Sequence, residues 1–106
     1  MADIMKLLQQ AQQMQGRLQQ IQDELQQRTV SASAGGGMVT VNADGKGQIR
    51  SIKIDPSVVN PSDVEMLEEL ILVALTDVQR RAAALAQEEM GKLTGGLGLP
   101  FQLPPL

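Results

Sequence analysis

Thr29-Val-Ser-Ala-Ser-Ala-Gly-Gly-Gly-Met-Val-Thr-Val-Asn-Ala-Asp-Gly-Lys-Gly-Gln-Ile-Arg-Ser-Ile-Lys-Ile54 decides the fold of this chain. Val30, Ala32 and Ala34 alternate with Thr29, Ser31 and Ser33, the period of a strand with one apolar face. Gly35-Gly36-Gly37 then predicts a turn. Met38 to Asn42 reads as a second strand with Val39 and Val41 on one face. Ala43-Asp44-Gly45-Lys46-Gly47 reads as a hairpin loop marked by Asp-Gly. Gln48 to Ile54 is a third strand, with Ile52 and Ile54 on one face. Ile49 breaks that alternation, which calls for either a bulge or a covered outer face. The three strands predict an antiparallel meander.

Helical periods flank the meander on both sides. Ile4, Leu7, Ala11, Met14, Leu18, Ile21 and Leu25 are spaced alternately three and four apart, a heptad seam within a helix over 3–27. Ten glutamines between Gln9 and Gln27 supply an uncharged polar face. A 25-residue helix is about 38 Å long, too long for so small a domain to cover, so part of the seam must meet another helix or another copy of the chain. Asp55-Pro56 ends the sheet. A second helix is expected from Asp63 to about Gly91. Two caps compete for its start: Asn60 followed by Pro61, or Ser62 with Glu65 as a capping box. Leu67, Leu70, Ile71, Ala74, Val78, Ala82 and Leu85 form its wide apolar stripe. Leu72, Val73 and Leu75 lie off that stripe, as expected of a helix that packs on both the sheet and a partner. Residues 1–93 therefore read as one domain. Residues 94–106, punctuated by Gly95, Gly96, Gly98, Pro100, Pro104 and Pro105, read as a flexible tail.

The composition excludes several kinds of function. The 106 residues contain no Cys and no His. Thiolate and imidazole metal sites, disulfides and the usual neutral-pH general base are therefore missing. No metal, cofactor or small-molecule substrate is expected, and the chain reads as a non-enzyme. Glu65, Glu68 and Glu69 are better explained by a helix N-terminus than by paired-carboxylate chemistry. Neither a secretory leader nor a membrane span is visible, so a cytoplasmic location is expected. With one Phe and no Trp or Tyr, the core must be aliphatic, and oligomerisation would supplement it.

Net charge is −3, but it is unevenly spread. Residues 1–54 carry six basic and four acidic residues, a net of +2; residues 55–106 carry three basic and eight acidic, a net of −5. Such asymmetry can leave a positive face on an acidic molecule. Lys46, Arg50 and Lys53 have no acid among residues 45–54. They suit either phosphate contacts, which draw affinity from counterion release, or an ordinary charged sheet edge. Arg80 and Arg81 suit either a phosphate contact or ion pairs along their own helix. No aromatic lies near a basic residue, so nothing supports base stacking. The triple glycine lacks the Lys-Ser/Thr of a phosphate loop.

Taken in order, Leu8-Gln-Gln-Ala-Gln-Gln-Met-Gln15, Gly37-Met-Val-Thr-Val-Asn42, Ile52-Lys-Ile-Asp-Pro56 and Glu65-Met-Leu-Glu-Glu-Leu70, with the continuation to Arg80-Arg81-Ala82, resemble the YbaB/EbfC family of nucleoid-associated proteins. The resemblance covers about residues 4 to 92. It implies an α+β fold, helix–three-stranded antiparallel meander–helix, assembled as a tweezer-like homodimer. It also implies a nucleoid location and binding of double-stranded DNA with little sequence selectivity. Helix one departs from the family in carrying only Lys6 and Arg17, where relatives often have more lysines. The family offers no short DNA-reading motif to transfer, so contacts are assigned from charge: Lys6, Arg17, Arg28, Lys46, Arg50 and Lys53, with Arg80 and Arg81 as further candidates. The dimer interface is assigned to Leu7, Met14, Leu18, Ile21, Leu67, Leu70 and Ile71. The competing reading is a protein-interaction adaptor that docks partners through the seam and the Pro-rich tail.

Overall fold

The computed structural model describes residues 2–96. The order is α1 (Ala2–Gln27), β1 (Thr29–Ala34), β2 (Val39–Asp44), β3 (Ile49–Ile54), a 3-10 turn (Pro56–Val58) and α2 (Val64–Gly96). The strands form one antiparallel sheet in the order β1-β2-β3. This is the expected helix–meander–helix.

The Gly35–Gly37 turn works because all three residues hold positive φ, at 64°, 67° and 93°, a region that side-chain-bearing residues enter only at a cost. The turn sets Ala34 opposite Val39, so Ala32 faces Val41 and Val30 faces Ala43. β3 continues that face, with Ile54 opposite Val39, Ile52 opposite Val41 and Ile49 opposite Ala43. Between Ser51, which pairs with Asn42, and Ile49, Arg50 has no partner. It is the extra residue of a β-bulge, and it explains why Ile49 falls out of the sequence alternation yet joins the apolar face.

α2 lies across that face. Val39, Val41, Ala43, Ala74 and Val78 are fully enclosed, with Ala32, Ala34 and Val58 around them. The alanines at 32, 43 and 74 let helix and sheet approach closely, and each buried valine contributes about 1.5–3 kcal/mol. α2 covers β1 and β2 and leaves β3 outside, so Ile52 and Ile54 stay 44% and 37% exposed on the apolar face. Arg81 fastens the β1 side: its Nη1 donates to the Ser31 carbonyl at 3.2 Å, and its Nε pairs with Asp77 at 3.3 Å.

The helix boundaries differ from expectation in two places. Asp63 is the cap of α2 rather than Asn60 or Ser62: its Oδ1 accepts from the Met66 amide at 3.3 Å, while Asn60 Oδ1 takes the Ser62 amide at 3.0 Å just upstream. α2 also runs past Gly91 to Gly96. A mid-helix glycine costs about 1 kcal/mol relative to alanine, which burial of Leu93 beyond it offsets. Of the expected tail, residues 97–106 lie outside the described residues.

At 1.5 Å per residue α1 is about 39 Å long and α2 about 50 Å. The molecule measures 73 × 23 × 16 Å, so the two helices lie nearly end to end, overlapping by about 16 Å. The overlap is fixed where Arg28 meets Glu89 at 3.7 Å. Along the seam, Leu25 is buried and Ile21, Leu18 and Met14 are half-buried, whereas Ile4 and Leu7 are 62% and 63% exposed. The first half of α1 therefore stands clear of the other described residues. No helix among the described residues is long and apolar enough to cross a membrane.

Candidate nucleic-acid interface

The interface begins at the β2–β3 hairpin. Asp44, 2% exposed, closes it from inside. Its Oδ1 accepts from the Lys46 amide at 2.9 Å and the Gln48 amide at 3.0 Å, and its Oδ2 accepts from Arg50 Nη2 at 3.0 Å. Burial alone would raise this carboxyl, but the two amides and the guanidinium outweigh it and hold the group below the ordinary carboxylate value. Asp55 is held low in the same sense by the Ser57 amide and hydroxyl. A carboxyl lowered in the folded state contributes stability above its unfolded pKa and loses it as pH falls through the folded value. Stability is therefore expected to drop below about pH 4, and Asp44→Asn to flatten that acid arm. Urea midpoints at pH 7 and pH 3 measure it; equal acid sensitivity of the two proteins contradicts the role of Asp44.

The hairpin is also bolted to α1. The Gly45 amide donates to the Leu25 carbonyl at 2.7 Å, in the last turn of the helix, where the Arg28 amide also donates to the same oxygen at 3.1 Å. Lys46 is thus carried on a rigid tip, beside a shallow groove lined by Gly45, Gly47, Gln79, Ala82 and Ala86. On the polar face of the sheet, Asn42 joins Ser31 and, at 3.0 Å, Ser51. Lys53, opposite Thr40, projects from that face and is exposed.

Not all the assigned cations are equally available. Arg28 pairs with Glu89, Arg50 with Asp44, Arg81 with Asp77, and Lys92 with Glu89 at 3.2 Å. Among the described residues, Lys6, Arg17, Lys46, Lys53 and Arg80 have no acidic oxygen within 4.0 Å. The reading of Lys46, Arg50 and Lys53 as free of acids overlooked Asp44, one position outside the window considered. On α1 and at the residue just after it, the sequence reading missed a regularity. Lys6, Arg17 and Arg28 recur every eleven residues, three turns plus about 20°, so they fall on one line at intervals of about 16 Å. Glu24, bonded to Gln20 at 3.3 Å, shares that line.

Two parts of the dimer assignment fare differently. Leu67, Leu70 and Ile71 are half-buried and pack in part against the chain's own core. Leu7 is open. Leu72 and Val73, read from the sequence as lying off the main stripe of α2, are exposed, as are Ile52 and Ile54 on β3.

The family model of the YbaB/EbfC DNA-binding family matches residues 1–97. The chain belongs to this family. A nucleoid-associated protein of Gemmatimonas aurantiaca is 56% identical over 102 residues, covering 96% of this chain and 98% of its own. One from Desulfotalea psychrophila is 48% identical over 98 residues, covering 92% of each. In fold the chain is similar to an uncharacterized Helicobacter pylori protein of known crystal structure. Their TM-score is 0.69 at 23% identity, over 86% of this chain and 91% of the other. That likeness bears out the α+β helix–meander–helix, and the family bears out the resemblance read from the sequence.

Proposed function

We propose that this YbaB/EbfC chain is a nucleoid-associated protein that binds duplex DNA through its phosphates, as a homodimer and largely without regard to base sequence. The observation that carries this reading is the set of cations left without acidic partners: Lys6 and Arg17 in line on a protruding helix, with Lys46 and Lys53 on the hairpin and sheet to which that helix is bolted. Cations free of neutralising neighbours release counterions when they meet a polyanion. Arg28, Arg50, Arg80 and Arg81 are secondary contacts; three of them already hold a carboxylate. The chain acts by binding, not catalysis, and works in the nucleoid.

Lys6, Arg17, Lys46 and Lys53, with Arg80 as the fifth unpaired cation, make a weak footprint, and doubling it raises avidity. The second copy covers the β3 side, where an edge strand and two exposed isoleucines leave the sheet unfinished. One experiment tests both statements. Sedimentation of the parent chain is expected to give twice the chain mass, and gel shifts to give similar affinity for duplexes of unrelated sequence, falling steeply with salt. Ile52→Glu with Ile54→Glu is expected to sediment as one copy and to bind at least tenfold more weakly. Salt-independent binding would remove the phosphate mechanism, and an unchanged mass in the double variant would remove this dimer surface.

A further inference from the structure

The first half of α1 bears an apolar row that nothing among the described residues covers. Ile4, Leu7, Leu8 and Ala11 are exposed, and Met14 is half-buried. Given the overlap of about 16 Å, α2 ends beside roughly residues 17 and 18 of α1, so the row from Met14 to Ile4 lies beyond that end. We propose that this row meets the same row of a second copy, the two helices lying antiparallel, at a contact separate from the β3 side.

Spacing and charge both select this occupant. Ile4, Leu7, Ala11 and Met14 step alternately by three and four residues, a mean period of about 3.5, which keeps the row turned toward one partner helix. Set antiparallel with Leu7 opposite Ala11 of the second copy, Ala11 falls opposite its Leu7 and Ile4 opposite its Met14. The one small residue of the row thus meets a large one, as close packing requires. A parallel pair would set Ala11 against Ala11 and leave a void. In the antiparallel register, one flank brings Leu8 beside Leu8 of the second copy, near the two-fold axis. The other flank brings Asp3 beside Arg17 of the second copy, once at each end. Both residues are exposed in the single chain, and Arg17 has no acidic oxygen within 4.0 Å among the described residues. A parallel pair would place Asp3 beside Leu8 instead and leave both charges unmatched. Lys6, about 120° around the helix from the middle of the row, stays outside the contact. Arg17 is shared with the proposed DNA surface, so the two compete for it. Beside the β3 pairing, this contact gives each chain a second two-fold, and copies string together beyond a pair. So short a row buries little area, so the contact closes only at high protein concentration.

The chain has no cysteine, so crosslinking of the full chain with a short bismaleimide reads the arrangement directly. In this register position 8 lies about 3 Å along the axis from its counterpart, whereas position 15, also exposed and on the same flank, lies about 18 Å from its own. Leu8→Cys is expected to link two chains at least tenfold faster than Gln15→Cys. Equal rates, the mark of random collision or of a parallel pair, would overturn the proposal. A second measurement does not depend on cysteines. Sedimentation of the parent chain from micromolar to millimolar concentration is expected to show a mass rising above its dilute value. Leu7→Gln with Leu8→Gln, both exposed in the single chain, is expected to hold the dilute mass throughout. Growth in both proteins, or in neither, would equally overturn it. Both readouts are expected to persist in the Ile52→Glu, Ile54→Glu background and neither involves DNA, so failure here leaves the β3 dimer and the DNA-binding reading standing.

Discussion

Replacing Lys6, Arg17, Lys46 and Lys53 together by glutamine is expected to abolish most of the salt dependence of DNA binding while leaving the fold intact. All four are exposed and without acidic partners, so their replacement leaves no buried charge behind, and surface changes of this kind alter stability by about 0.5 kcal/mol or less. Two copies bring eight such cations to the duplex. If each neutralises one phosphate, log K falls with log salt at a slope of roughly −7, a loss of about 10⁴-fold between 50 and 200 mM. In the quadruple variant the remaining candidates are mostly arginines that hold a carboxylate. The expected slope is about −2 or shallower, with affinity at low salt reduced by at least 10²-fold. The decisive comparison is the slope itself, measured by titrating a labelled duplex at several salt concentrations. A variant that keeps the parent slope would show that phosphates are held elsewhere on the chain. Replacing Arg28 and Arg50 instead is expected to do less to DNA than to the fold, since Arg50 satisfies Asp44 and Arg28 ties α1 to Glu89.

The strands were legible because their signals are local. The Ser/Ala alternation, the three glycines and the misplaced Ile49 each constrain a few neighbouring residues, which gave the meander but left a bulge and a covered outer face as alternatives that the pairing of Ile49 with Ala43 decides. The charges were less legible. Whether a cation is free depends on what folding brings beside it, and the partner of Arg28 lies 61 positions away at Glu89. Asp44 was nearer, yet Asp-Gly was read only as a turn marker. An Asp followed by amides at the second and fourth positions could have announced the cage that absorbs Arg50. The apolar residues of α2 were found, but not which surface each of them meets. A 3.6-residue period shows which side of a helix is apolar, not whether its own sheet or a second copy covers it. Here the chain's own core meets Leu67, Leu70 and Ile71 in part and leaves Ile52 and Ile54 bare.

Gly45→Ala and Gly16→Ala add the same methyl group and are expected to change stability in opposite directions. At Gly45 a Cβ would lie 2.6 Å from the Leu25 carbonyl oxygen and 3.1 Å from its Cα. Both are backbone atoms at the end of α1, and the oxygen is the one that Gly45 holds through its amide at 2.7 Å. The added carbon cannot be relieved by a rotamer change; either the hairpin or the helix end must retreat, and the hydrogen bond goes with it. Overpacking costs about 1–3 kcal/mol and the lost bond about 1 kcal/mol, less the smaller unfolded-state gain from removing a glycine. The expected net loss is about 2–3 kcal/mol. At Gly16, mid-helix and facing open space, the same carbon removes backbone freedom from the unfolded chain and meets nothing, a gain of about 0.5–1 kcal/mol. Urea unfolding of the two variants measures both. The Gly45 variant carries a further consequence, because that contact fixes the direction in which α1 leaves the sheet and hence where Lys6 and Arg17 sit relative to Lys46. Small-angle scattering is expected to register a changed long dimension, and DNA titration a shallower salt slope, though no cation has been touched. If Gly45→Ala unfolds with the parent protein at the same urea concentration, the hairpin does not hold the helix, and the alignment of the cations must come from elsewhere.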